Sequence, residues 1–156
     1  MSTGSTSTVP SLERLEGWDT VADRTLRWWD RIQNLTARDR NDVHAQLDYY
    51  LAFFQSVHSL TDYAKKLNGP VLKDTRTKRI VRDIANRSKH ATISNPSFDE
   101  HYFICREFDP SSETTWRLVV CGGTSKDALN ELAGDIACEI RVLRDSRRDA
   151  RRIIPV

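Results

Sequence analysis

The hydrophobic period of this chain changes twice, and those changes limit the folds open to it. From Leu12 to Ser88 apolar residues recur at helical spacing, as on helices buried along one face. Between His101 and Cys121 the period drops to two. The segments HYFICREF and TTWRLVVC are rich in aromatic and β-branched residues and flank Asp109-Pro110-Ser111-Ser112, a hairpin pattern. After Gly122-Gly123 the helical spacing returns. This order predicts an α+β fold, mainly α: a bundle of about four helices with a two-stranded antiparallel hairpin before the last helix. A lone hairpin is marginal in water, so it should pack on the helices.

The helices have legible limits. Ser11 can cap a first helix running to about Asn34, with Leu12, Leu15, Trp18, Ala22, Leu26 and Trp29 as its stripe. Val21, Thr25, Trp28 and Ile32 widen that stripe. Asp39 or Asn41 can open a second helix that stops at Asn68-Gly69-Pro70. Its stripe is Val43, Leu47, Tyr50, Phe54, Val57, Thr61 and Ala64, broadened by Leu51 and Phe53, which makes it the hydrophobic centre. A third helix covers Thr75 to Lys89 and buries Ile80, Val81, Ile84, Ala85 and Ser88. Thr124 or Ser125 caps the last helix, whose buried positions are Leu129, Leu132, Ile136, Ile140 and Leu143. Residues 1–10, rich in Ser and Thr, read as a disordered lead-in, 11–147 as one domain and 148–156 as a C-terminal tail.

Several classes are disfavoured. No apolar stretch approaches a membrane span, and MSTGSTSTVP has neither the basic start nor the apolar core of a signal peptide, so a cytoplasmic protein is expected. Cys105, Cys121 and Cys138 are an odd set without a CxxC pair, which argues against a disulfide framework and a structural zinc site. No metal-ligand, HExxH or GxSxG pattern is present, and no cofactor or metal is expected. The junction Gly122-Gly123-Thr124-Ser125-Lys126 lacks phosphate-loop spacing and reads as a glycine turn with a Thr cap.

Charge is unevenly distributed. The whole chain carries +2, but residues 73–90 carry +5 and residues 141–152 carry +4, so the remainder is strongly acidic. Such asymmetry suits a nucleic acid or an acidic partner. At about 100° per residue, Arg79, Arg82, Asn86, Lys89 and His90 share an arc of about 100° opposite Ile80, Ile84 and Ser88. Imidazole can act as general acid or base near neutrality, and Arg and Lys can hold a phosphate. His90, Arg82 and Asn86 are therefore the candidate catalytic set. Arg79, Arg87, Lys89, Lys78, Arg144, Arg147 and Arg148 are the candidate nucleic-acid contacts. Equally, the Arg79–Asp83–Arg87 spacing supports ion pairs on an ordinary solvated face. His58 lies between Phe54 and Asp62, and could approach His90 if the second and third helices pack antiparallel. Trp18, Trp28 and Trp29 read as core and interface anchors.

The aromatic helix LAFFQSVHSLTDYAKK followed by DIANRSKHATI resembles short bacterial and phage proteins with an FFxxxxHLxDW-type helix before an ANxxKH segment. These are loosely similar to the HEPN superfamily, helical domains of toxins and antiphage defence systems. The resemblance covers about residues 40–145. It implies a metal-independent endoribonuclease or RNA binder that forms a homodimer, with His90 as acid–base group and Arg82 or Arg87 as phosphate ligand. Catalytic members keep a short, defined Arg-to-His interval, and Arg82 and Arg87 fall on either side of it here. The alternative is a catalytically inert module that binds another protein, a phage or defence adaptor.

Overall fold

The computed structural model describes residues 17–89, 102–111 and 115–153, with side chains to 150. The elements are α1 (Trp18–Gln33), α2 (Ala37–Arg40), α3 (Val43–Leu67), α4 (Arg76–Lys89), β1 (Phe103–Phe108), β2 (Trp116–Cys121), β3 (Lys126–Ala128) and α5 (Leu129–Ile153). The fold is α+β and mainly α. Three strands form one antiparallel sheet in the order β1-β2-β3. Ser11, Leu12, Leu15 and His90 lie outside the described residues.

The long helix α3 is the axis. Its Phe53, Phe54, Val57 and Leu60 are buried, with α1 on one side and α4 on the other. Phe53 and Phe54 meet edge to face with centroids 5.7 Å apart, and Trp29 and Tyr50 extend the cluster. α5 closes the bundle with Leu129, Leu132, Ile136 and Ile140. The inner face of the sheet adds Leu118 and Val120 to the same core, so the hairpin does pack on the helices. Trp18 is buried, and Trp28 and Trp29 pack against the core from its rim, as anchors should.

The helix starts differ in detail from the sequence reading. Thr36 caps a separate short helix, accepting from the Asp39 amide. Asp42, not Asp39 or Asn41, caps α3 by accepting from the amides of His44 and Ala45. At the other end of α3, Asn68 takes the left-handed conformation (φ 52°), and the Gly69 amide returns to the Ala64 carbonyl at 3.0 Å. Trp18 Nε1 donates to the Pro70 carbonyl at 3.0 Å, tying the start of α1 to this turn.

Gly69 is required there for space. A Cβ on it would stand 3.0 Å from Trp18 Cδ1 and 3.3 Å from Cγ. Trp18 is 3% exposed and held by its indole hydrogen bond, so it has little freedom to yield. Gly69→Ala is expected to cost about 1–3 kcal/mol, the usual range for overpacking. Chemical denaturation against the parent measures it.

Three further departures concern the second half. A third strand, Lys126–Ala128, precedes α5, so neither Thr124 nor Ser125 caps that helix. A turn closed by the Gly122 amide on the Ser125 carbonyl at 2.8 Å turns the chain back along β2. On α4, Ser88 is exposed and bonds to Gln55 at 2.9 Å, whereas Asp83 is wholly buried beside Ile84. α5 runs to Ile153, past the boundary at 147 that the sequence suggests.

Candidate functional site

The short turn after Leu67 sends α4 back along α3. Gln55 meets Ser88 at one end of the pair, while Thr61 and Lys65 face Lys78 and Arg79 at the other, so the helices are antiparallel. Between them lies a cleft of about 220 Å³. Val57, Val71 and Val81 are its apolar lining, and His58, Asp62, Lys65, Asp74, Lys78, Arg79 and Arg82 its polar lining. Four bases thus face two acids around one imidazole.

His58 is half-buried on α3. Burial lowers its pKa below the ordinary 6.5; Asp62 opposes this, and Lys89, Arg82 and Lys65 reinforce it. At neutral pH His58 is an uncharged imidazole with cations around it, free to accept a proton or a hydrogen bond. The unfolded chain binds that proton more readily. His58's contribution to stability is therefore complete above pH 6.5 and is lost as pH falls through its lowered folded value. His58→Gln should remove this share of the acid destabilisation, measured as the difference between urea midpoints of variant and parent across pH 4–7 (about the range in which imidazole titrates).

Arg82 is half-exposed at the cleft wall, with Nε 3.9 Å from an Asp83 carboxylate oxygen. Arg79 lies 3.7 Å from Asp74 at the rim. Lys78 turns inward to donate to the Leu72 carbonyl at 2.9 Å, bracing the loop before α4. Asn86 lies one turn beyond Arg82 and is not among the residues lining the cleft. Lys89 ends the helix, where its charge acts on His58. Of the expected catalytic set, only Arg82 is placed at the cleft among the described residues, with His58, outside that set, also lining it. His90 lies outside the described residues.

The other basic residues have structural partners. Arg87 donates to the Tyr102 carbonyl at 2.6 Å and covers the Tyr102 ring at 4.7 Å, fixing the approach to β1. Arg144 and Arg148 both bind Asp23, at 3.3 and 3.2 Å. Arg147 binds Asp19 at 3.2 Å and lies over Trp18. Arg144, Arg147 and Arg148 of α5 are thus the cationic half of a clamp on α1.

His58 is secondary in the sequence and Lys65 is not marked there as a site residue. Their signal was the i, i+4 and i+7 spacing of His58, Asp62 and Lys65, which puts all three on one side of α3. Among the described residues, no group of three or more His, Cys, Asp or Glu is placed to hold a metal ion. Among the same residues no helix is long and apolar enough to cross a membrane. In comparisons with known proteins, no family model, no curated protein and no solved structure matches the chain.

Proposed function

We propose that the protein is a HEPN-like RNA-binding domain of the toxin or defence type, and that an RNA phosphate sits in the α3–α4 cleft. The observation that carries this reading is the cleft that half-buried His58 shares with Lys65, Arg79 and Arg82, where the charges of Lys65 and Arg82 act on its imidazole. Arg79 and Arg82 supply guanidinium donors from successive turns to the non-bridging oxygens. Neutral His58 can accept the proton of a neighbouring 2′-hydroxyl, the first requirement of cleavage without a metal. Departure of the 5′-oxygen needs a proton donor, and His90 is the sequence candidate for that role.

Fluorescence anisotropy with a labelled single-stranded RNA tests the binding. Affinity should fall steeply with salt, by a logarithmic slope of roughly 0.7 per phosphate contacted. Absence of binding at low salt overturns the proposal. Incubation of the same RNA in EDTA, with His58→Ala and His90→Ala beside the parent, separates cleavage from binding alone.

A second reading, an inert protein-binding adaptor, draws on a different surface. Phe108 and Trp116 stack at 3.9 Å while 54% and 45% exposed, and Arg106 covers Trp116 at 4.7 Å. Exposed aromatics beside arginine are characteristic of protein contact centres.

A further inference from the structure

Two of the three cysteines are neighbours in space although the sequence shows no paired motif. Cys105 lies on β1 and Cys121 at the end of β2, and their Sγ atoms are 3.8 Å apart. The strand register explains the approach. Cys105 stands opposite Val119 and Cys121 opposite Phe103, so the thiols are diagonal partners on one face of the hairpin. Diagonal positions ordinarily keep their Cβ atoms somewhat under about 7–8 Å apart, within reach of long side chains and rarely of short ones. Here the two short side chains lean together. Both cysteines are only partly buried, so a small oxidant has access to the pair. Cys138 is on α5, a different element, and is exposed.

We propose that Cys105 and Cys121 form a reversible modification site, a dithiol that a two-electron oxidant such as hydrogen peroxide converts to a disulfide. One sulfur attacks a peroxide oxygen, the O–O bond breaks, and a sulfenic acid and one water result. The second sulfur displaces the hydroxyl of that sulfenic acid, which leaves with the second thiol's proton as another water. Each sulfur loses one electron, and the peroxide takes up both.

Burial, followed by the neighbouring Cys105 thiol, pushes the Cys121 thiol above its ordinary value, while Lys126 opposes. Cys121 is therefore protonated at neutral pH, and as the second sulfur it must give up that proton while it attacks. Its proton is the one lost with the leaving water. To bond, the two Sγ atoms close from 3.8 Å to about 2 Å.

The site also has a structural neighbour that gives the modification an effect. Cys105 is three residues beyond Tyr102, whose carbonyl and ring hold Arg87 at the end of α4. Fastening β1 to β2 at this point braces the strand on which α4 is anchored.

Thiol counting on the full-length protein tests the proposal. After brief exposure to hydrogen peroxide and its removal, the titratable thiols of the denatured protein should fall from three to one. The intact mass should drop by two hydrogen atoms, a peptide map should join the segments containing Cys105 and Cys121, and dithiothreitol should restore all three thiols. Cys138→Ser should still form the bond. Retention of three thiols, a gain of oxygen in place of hydrogen loss, or a disulfide that includes Cys138 would each overturn it.

Discussion

Reversing Arg79 and Arg82 together to glutamate is expected to weaken single-stranded RNA binding by about 100-fold or more. Each guanidinium donates charge-assisted hydrogen bonds worth at least about 1.5 kcal/mol, so losing two costs about 3 kcal/mol, and 1.4 kcal/mol is a factor of ten. The salt slope should fall by roughly 1.4, the share of two phosphate contacts on a single strand. Both side chains are exposed on α4, so circular dichroism should show an intact fold. Arg148→Ala is the contrasting variant. Arg148 is occupied by Asp23 in the clamp between α5 and α1, and its loss should leave the RNA salt slope unchanged. A charge effect spread over the whole surface would instead make the two variants alike.

The largest effect on stability is expected at the aromatic centre of α3. Phe53 is fully buried, with Trp29 tilted against it at 6.0 Å and Phe54 edge to face at 5.7 Å. Phe53→Ala removes a large apolar side chain from a site walled by two other rings that cannot collapse into it. The expected loss is about 3–5 kcal/mol, from lost transfer energy plus the residual cavity. Domains of this size are stable by only about 5–15 kcal/mol, so urea midpoints should shift by a large fraction of the whole range. A shift below about 1 kcal/mol would mean that α3 is not the axis of the core.

Much of this architecture was legible because it depends on periodicity. The stripes of α1, α3 and α4, the two long strands and the return to helix all follow from where apolar residues recur. Asn68-Gly69-Pro70 marked the end of α3 because few residues tolerate that sequence of conformations. The third strand was not legible: three residues, Lys126–Ala128, are too few to establish alternation, and their pairing is set by the turn at Gly122. The burial of Asp83 was hidden for another reason. Its position on the helix wheel borders the apolar arc, and which border residues are covered depends on the neighbours that pack there.

The candidate site was legible only in part. The basic face of α4 follows from helix geometry, and Arg79 and Arg82 do line a cleft. The opposite wall comes from α3, about twenty residues earlier, and only the antiparallel packing brings His58 and Lys65 to it. Charge counting also could not tell which cations are held against a distant element. Arg87, Arg144, Arg147 and Arg148 look equivalent to Arg82 in the sequence, yet Tyr102, Asp19 and Asp23 take up their donors. Asp19 and Asp23 stand more than 120 positions from their partners.

An imidazole-resolved NMR titration measures directly whether a phosphate is held beside His58. The His58 resonances would be followed across pH without RNA and with a saturating short single-stranded RNA at low salt. A bound phosphate stabilises the imidazolium, so RNA should raise the His58 pKa from its lowered free value, and binding should tighten as pH falls. RNA that binds while leaving the His58 titration unmoved would contradict the account and place the nucleic-acid surface elsewhere on the molecule.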